Sequence, residues 1–226
     1  MQKDNRQVSM LFMLFSILFT VCLILANLLG TKQIALGPIR VTGGLIIFPV
    51  SYIINDCVCE VWGYGKTRLL IWTGFLMNFF FVSVCAVCDA IPGAPWWDND
   101  AGFHAIFGLA PRIAFASFAA FLAGSFINAF VMSRMKVKSE GRHFFVRAIS
   151  STLLGESADS LIFFPLAFYG VVPTAALPQL MMWQVILKTA YEIVVLPMTI
   201  MVVKWVKRHE QEDVYDKNIS YSIFNL

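Results

Sequence analysis

The chain has 226 residues, of which 58% are apolar and only 14% charged, with a mean hydropathy of +0.72. Soluble domains carry nearer a quarter charged residues, and no soluble core of this length absorbs such an apolar excess, so a water-soluble enzyme or binding module is excluded. The net charge of +3 is no nucleic-acid footprint either, because the basic residues fall between apolar runs and form no basic face.

One helical crossing of the hydrocarbon layer takes about 20 apolar residues, and runs of that length recur along the sequence. We place six spans at about 8–30, 43–62, 67–89, 111–133, 147–170 and 181–206, each bounded by charge, Gly or Pro. The first run, Val8 to Leu29, is too long for a signal-peptide core and lacks a small-residue cleavage site, so it reads as a span. Residues 207–226 are left as a short polar tail, expected to be mobile. The fold expected is all-α: a polytopic membrane protein with six transmembrane helices in one bundle, forming a single domain over 1–226.

Six spans put both termini on one side. With the N-terminus inside, the inner segments collect Lys3, Arg6, Lys66, Arg68, Arg134, Lys136, Lys138, Arg142, Arg147, Lys204, Lys207, Arg208 and Lys217, thirteen of the 17 basic residues. The outer loops keep Lys32 and Arg40, and the outer loop from Ile91 to Ala110 has Asp98 and Asp100 but no Lys or Arg. The positive-inside rule therefore places both termini in the cytoplasm. The Ile91–Ala110 loop is long for a bundle connection and carries Trp96 and Trp97, a pattern that suits the water boundary. It reads as an interfacial belt or as a lid over an outer vestibule, with a short helix over Phe103 to Leu109.

An ionisable side chain within lipid costs at least a few kcal/mol, so such residues are functional candidates until paired off. In the second span Asp56 and Glu60 stand at i and i+4 and share a helix face. That stripe is either structural, with Glu60 reaching water and Asp56 capping or pairing, or part of a site. In the fifth span Glu156 and Asp159 lie ~13 to 18 Å past Arg147 at helical rise, near mid-membrane, among Ser150, Ser151, Thr152, Ser157 and Ser160. In the sixth, Lys188 and Glu192 again share a face and either neutralise each other or turn toward the other acids.

In the fourth span Arg112 is an anchor or a ligand, while Ala116, Ala120, Gly124 and Asn128 put small residues every four positions, a close-packing pattern. Asn27, Trp183 and Gln184 complete the polar and aromatic set. An acid pair on the second helix of each three-span half suggests a 3+3 inverted repeat around a midplane site.

Other motifs carry no chemistry. Cys85 and Cys88 form C-x-x-C on an apolar helix without redox or zinc flanks, and Cys22, Cys57 and Cys59 are likewise in apolar runs. His104, His143 and His209 fall in loops or the tail and do not cluster as metal ligands. There is no P-loop, G-x-S-x-G or H-E-x-x-H, so neither ATP hydrolysis nor standard hydrolase chemistry has residues to run on. No cofactor is expected.

Several segments together resemble a known family. They are Asn27; the stretch F-P-V-S-Y-I-I-N-D-C-V-C-E-V-W-G-Y-G-K-T-R with Asp56, Glu60 and Arg68; R-I-A-F-A-S from Arg112 to Ser117; S-S-T-L-L-G-E-S-A-D-S from Ser150 to Ser160; and Lys188 to Pro197. These resemble the VUT or queuosine-precursor transporter family of bacterial inner-membrane proteins, over nearly the whole chain. Ser125 and Asn128 depart from it, standing where that pattern has a Gln and an acidic residue.

The resemblance implies import of 7-deazaguanine bases, precursors of queuosine in tRNA. A guanine-like base presents adjacent N–H donors that one carboxylate can accept together, and its flat ring suits an aromatic wall. On that reading Glu156 or Asp159 receives the pairing edge, Asp56 or Glu60 meets a cationic or second polar group, and Trp183 or a Phe supplies the wall. Asn27, Arg112, Asn128, Lys188 and Glu192 complete the expected substrate-binding set. The readings carried forward are a secondary carrier, a substrate-capturing subunit that needs a separate ATP-driven module, and a carboxylate-based membrane enzyme. The partners expected are the small-molecule base and the lipid bilayer, with no nucleic acid, and a homodimer is plausible because six helices barely enclose a cavity.

Overall fold

The computed structural model describes residues 9–30, 32–36, 39–108, 111–170, 174–217 and 219–223. Six helices dominate: α1 Met10–Gly30, α2 Phe48–Asp89, α3 Asp100–Phe107, α4 Pro111–Lys138, α5 Phe144–Phe168 and α6 Leu177–Glu210. Between α1 and α2 lies one element that no apolar run announces, an antiparallel hairpin of β1 Gln33–Leu36 and β2 Ile39–Thr42, with Gln33 opposite Thr42 and Leu36 opposite Ile39. Among the described residues four helical stretches, Met10–Leu29, Gly43–Asp89, Phe115–Lys138 and Met181–Glu210, are long and apolar enough to cross a membrane. Helix α5 is 25 residues long, but Glu156 and Asp159 interrupt its apolar run.

The spans expected at 43–62 and 67–89 form one helical element, broken only at Gly63, whose backbone is at φ 79°, ψ 176°. That region of backbone space is essentially reserved for glycine. The chain reverses there. Trp62, before the break, packs its ring on Phe12 near the start of α1. Asn78, after it, accepts a 2.8 Å hydrogen bond from Asn27 near the end of α1. The first arm of α2 (48–62) therefore runs against α1 and the second arm (64–89) runs with it.

Contacts fix the remaining directions. Asn55 bonds Asn128 and Lys136 bonds the Glu60 carbonyl, so α4 runs with the first arm. Asn128 meets Thr152 while Arg147 meets Glu60, so α5 runs against α4. Lys188 meets Glu156 and Lys207 meets Glu60, so α6 runs against α5. Both ends of the described chain gather at one end of the bundle, where Lys66 lies over the Phe12 ring and 3.6 Å from the Glu212 carboxylate.

Helices α4 and α5 cross at Gly124 and Gly155, where a Cβ on Gly155 would sit 2.9 Å from the Gly124 carbonyl oxygen. Ala116, Ala120 and Asn128 on the same stripe are fully buried, as small-residue packing requires. A core of Phe12, Phe19, Trp62, Leu70, Ile71 and Phe121 fills the space between α1, both arms of α2 and α4. The outward faces remain apolar and exposed, for example Phe80, Leu161, Val194 and Met201, which suits contact with lipid tails.

Candidate functional site

The polar residues of four helical elements converge in the middle of the bundle, all buried. Asp56 comes from the first arm of α2, Asn128 from α4, Glu156 and Asp159 from α5, and Lys188 and Glu192 from α6. Lys188 Nζ lies 2.7 Å from Glu156 Oε2 and 3.6 Å from Asp159 Oδ2. The same ammonium sits 3.9 Å above the centre of the Phe48 ring, whose neighbour one turn along is Tyr52. A cation over an aromatic face in a dry site is worth about 2 kcal/mol.

Asn55 and Asn128 add amides to the cluster. Asn55 Nδ2 donates to Asn128 Oδ1 at 2.9 Å, and Asn128 Nδ2 donates to Thr152 Oγ1 at 3.4 Å. The Asp56 carboxyl lies against Glu192 and Asn128, and Glu192 also reaches Thr152. Among the described residues neither Asp56 oxygen finds a hydrogen bond of good geometry, nor do Glu192 Oε2, Tyr52 Oη and Asn55 Oδ1. Buried polar atoms are nearly always satisfied, so a group of such atoms around one centre makes it the candidate site.

A second charged centre closes the end of the bundle where the termini lie. Glu60 accepts both arms of the Arg147 guanidinium fork, at 3.0 Å for the second, and a 2.7 Å bond from Lys207 Nζ. Lys136 binds the Glu60 carbonyl, the Asp213 carboxylate and the Val214 carbonyl, and Lys207 reaches Asp213 at 2.9 Å. Burial would raise the Asp213 pKa, but the bonds from Lys136 and Lys207 outweigh it and hold the carboxyl below its ordinary value.

The tail after Arg208, expected to be mobile, is instead docked over this centre. Val214 N donates to the Val61 carbonyl, Asp216 accepts from Tyr64 N and from Ser133 Oγ, and Arg68 donates to the carbonyls of Ser220 and Ser222. The tail seats where Gly63 reverses the chain, since a Cβ on Gly63 would meet Asp216 Oδ1 and Val214 Cγ1, both at 2.8 Å.

Of the residues singled out in the sequence, Asp56, Asn128, Glu156, Asp159, Lys188 and Glu192 are brought together. Three others are not. Glu60 shares the Asp56 face but belongs to the Arg147 and Lys207 cage. Asn27 pairs with Asn78 and lines an outer cleft with Phe81, Cys85 and Phe107. Trp183 is 48% exposed on the outer surface of α6, and the rings beside the cluster are those of Phe48 and Tyr52. The Arg112 side chain lies outside the described residues.

Lys188 and Glu192 do not neutralise each other, because Lys188 is engaged by α5. The loop expected to carry a short helix does so at Asp100–Phe107, with Leu109 and Ala110 outside the described residues; Trp96 is exposed there, and His104 bonds Asp89 at 2.6 Å. Tyr52 and Asn55 were not singled out. Their signal was present, since Tyr52 stands four residues before Asp56 and Asn55 beside it within an apolar run.

A helical bundle with a buried, charge-lined centre suits solute passage better than bond chemistry, and comparison with known proteins agrees. The family described as "Putative vitamin uptake transporter" matches residues 42–202. The chain belongs to that family. Its match takes in every residue of the central cluster and stops before Lys207 and the docked tail.

A "Probable queuosine precursor transporter" of Bacillus subtilis (strain 168) is 25% identical over 179 residues, covering 79% of this chain and 77% of that protein. One of the same name in Haemophilus influenzae is 29% identical over 131 residues, covering 57% and 52%. The "Queuosine precursor transporter" of Escherichia coli (strain K12) is 25% identical over 147 residues, covering 64% and 62%. More than a third of the latter two lies beyond the match. No solved structure matches the chain. The family is one of transporters, not of enzymes, and the chain has several helices able to span a membrane.

Proposed function

We propose that this protein carries queuosine precursors, 7-deazaguanine bases, across the bacterial inner membrane into the cytoplasm, and that the central cluster is the substrate site. The observation that carries this reading is the convergence of Glu156, Asp159, Lys188, Asn55 and Asn128 in one buried cluster, with Lys188 over the Phe48 ring and Tyr52 beside that ring. Paired carboxylates accept the adjacent N–H groups of a guanine-like edge, amides serve its remaining polar atoms, and the rings cover its flat face. Lys188 occupies those carboxylates in this conformation, so solute entry exchanges the ammonium donors for those of the base. The names of the three relatives support the same substrate class.

Six crossings with both termini cytoplasmic is the topology we assign. The reversal at Gly63 supports counting α2 as two crossings, and thirteen basic residues on the inner side support the orientation. The halves formed by α1 with α2 and by α4 with α5 and α6 then run oppositely, as an inverted repeat around a midplane site does. The docked tail closes the cytoplasmic end.

Uptake is the test. In a strain unable to synthesise queuosine, a supplied 7-deazaguanine base is expected to restore the tRNA modification only with this protein. Glu156→Gln or Asp159→Asn is expected to abolish it at equal membrane level. Persistence of uptake in both variants would remove the site assignment, and no restoration by correctly inserted wild type would remove the substrate.

A further inference from the structure

Among the described residues the central cluster holds four carboxyls, Asp56, Glu156, Asp159 and Glu192, each no more than 9% exposed, against one cation, Lys188. Arg147 and Lys207, toward the end of the bundle where the termini lie, are spent on Glu60. Lys188 serves the two acids of α5 and makes no ion pair with Asp56 or Glu192 among the described residues. An unpaired buried carboxylate costs several kcal/mol even after relaxation, and two facing carboxyls cannot both ionise.

We propose that Asp56 and Glu192 form a proton-carrying pair, distinct from the Lys188 group, that takes a proton from the outer side and releases it to the cytoplasm as the solute is imported. This rests on the carrier reading above and adds its energy source.

The groups around the pair leave it little else to do. From α2 it is faced by Tyr52, Cys57, Cys59 and Glu60, and from α5 by Glu156 and by Thr152, which Glu192 reaches; Lys188 of α6 is turned to Glu156 and Asp159, and α4 contributes the neutral Asn128. None of these supplies a free positive charge. In the closed bundle the pair shares one proton, which keeps one of its two carboxyls neutral, and when the inner end opens that O–H bond breaks and the proton passes to water. Glu60, one turn from Asp56, is bonded to Lys207, which is 23% exposed and marks the way out. A buried ionisable group that alternates between two water phases carries a proton each cycle.

The test uses full-length protein in liposomes enclosing a pH-sensitive dye, with a labelled 7-deazaguanine base added outside. Wild type is expected to acidify the lumen as label enters; label entering without acidification overturns the proposal. Independently of any solute, infrared spectroscopy at neutral pH is expected to show a protonated-carboxyl stretch that disappears in Asp56→Asn or Glu192→Gln. Absence of that band in wild type, or its persistence in both variants, overturns the assignment of the proton to this pair. If no label enters at all, the substrate reading falls while the infrared result still decides the proton site.

Discussion

Lys188 reaches across to Glu156 on the neighbouring helix, 2.7 Å away, although Glu192 stands one turn along its own helix. This choice leaves Glu192 facing Asp56 and, among the described residues, divides the central acids into a cation-paired set on α5 and a set without a cation.

Breaking that pair from one side should cost more than removing it. Lys188→Met leaves Glu156 and Asp159 buried without a counter-ion, a loss of about 3–5 kcal/mol. Lys188→Met combined with Glu156→Gln should recover much of that stability while transport stays absent. Thermal unfolding of the detergent-purified variants, with uptake measured alongside, checks both halves; equal stability of single and double variants would contradict it.

Arg147 and Lys207 both hold Glu60, but they are not equivalent. Arg147 is 1% exposed and binds through its fork, whereas Lys207 is 23% exposed. Arg147→Met should therefore destabilise by about 3–5 kcal/mol, and Lys207→Met by about 1 kcal/mol or less, since a partly solvated pair is screened. The order of midpoints in thermal unfolding is the readout.

Gly63 couples the chain reversal to the tail. Gly63→Ala should cost about 1–3 kcal/mol for the backbone alone, with a further loss from collision with Val214 and Asp216. Removing residues 211–226 should relieve the collision and leave the backbone cost. A smaller Gly63→Ala penalty in the truncated chain than in the full one is the expected result.

The crossing of α4 and α5 should tolerate no side chain. Gly124→Val would collide with Tyr52 Oη, 2.6 Å from the first added carbon, and with the Gly155 carbonyl, so loss of folded protein in the membrane is expected. Gly65→Ala is the contrast, because the nearest atom to its new Cβ is 3.5 Å away. There the helix should gain up to about 1 kcal/mol, read as a raised unfolding midpoint.

The class of this protein followed from the sequence alone, because apolar run length is a local property that the thickness of a bilayer turns into a helix. The acids of α2, α5 and α6 were visible for the same reason, as charges inside runs that lipid would otherwise exclude. Their partners were not.

Spacing of i and i+4 makes Lys188 and Glu192 neighbours on one face, but a lysine reaches several ångströms, and which carboxylate it meets depends on how closely other helices approach. That distance is set where Gly124 meets Gly155 and where Gly63 folds the two arms of α2 together. The tail shows the same limit. Composition marks residues 211–223 as polar and solvated, whereas their place follows from Lys136, Arg68 and the Val61 carbonyl, which converge only once the bundle has formed. Sequence thus determined what must lie in the membrane, and tertiary structure decided which charges meet there, because pairing depends on distances between helices that no local pattern encodes.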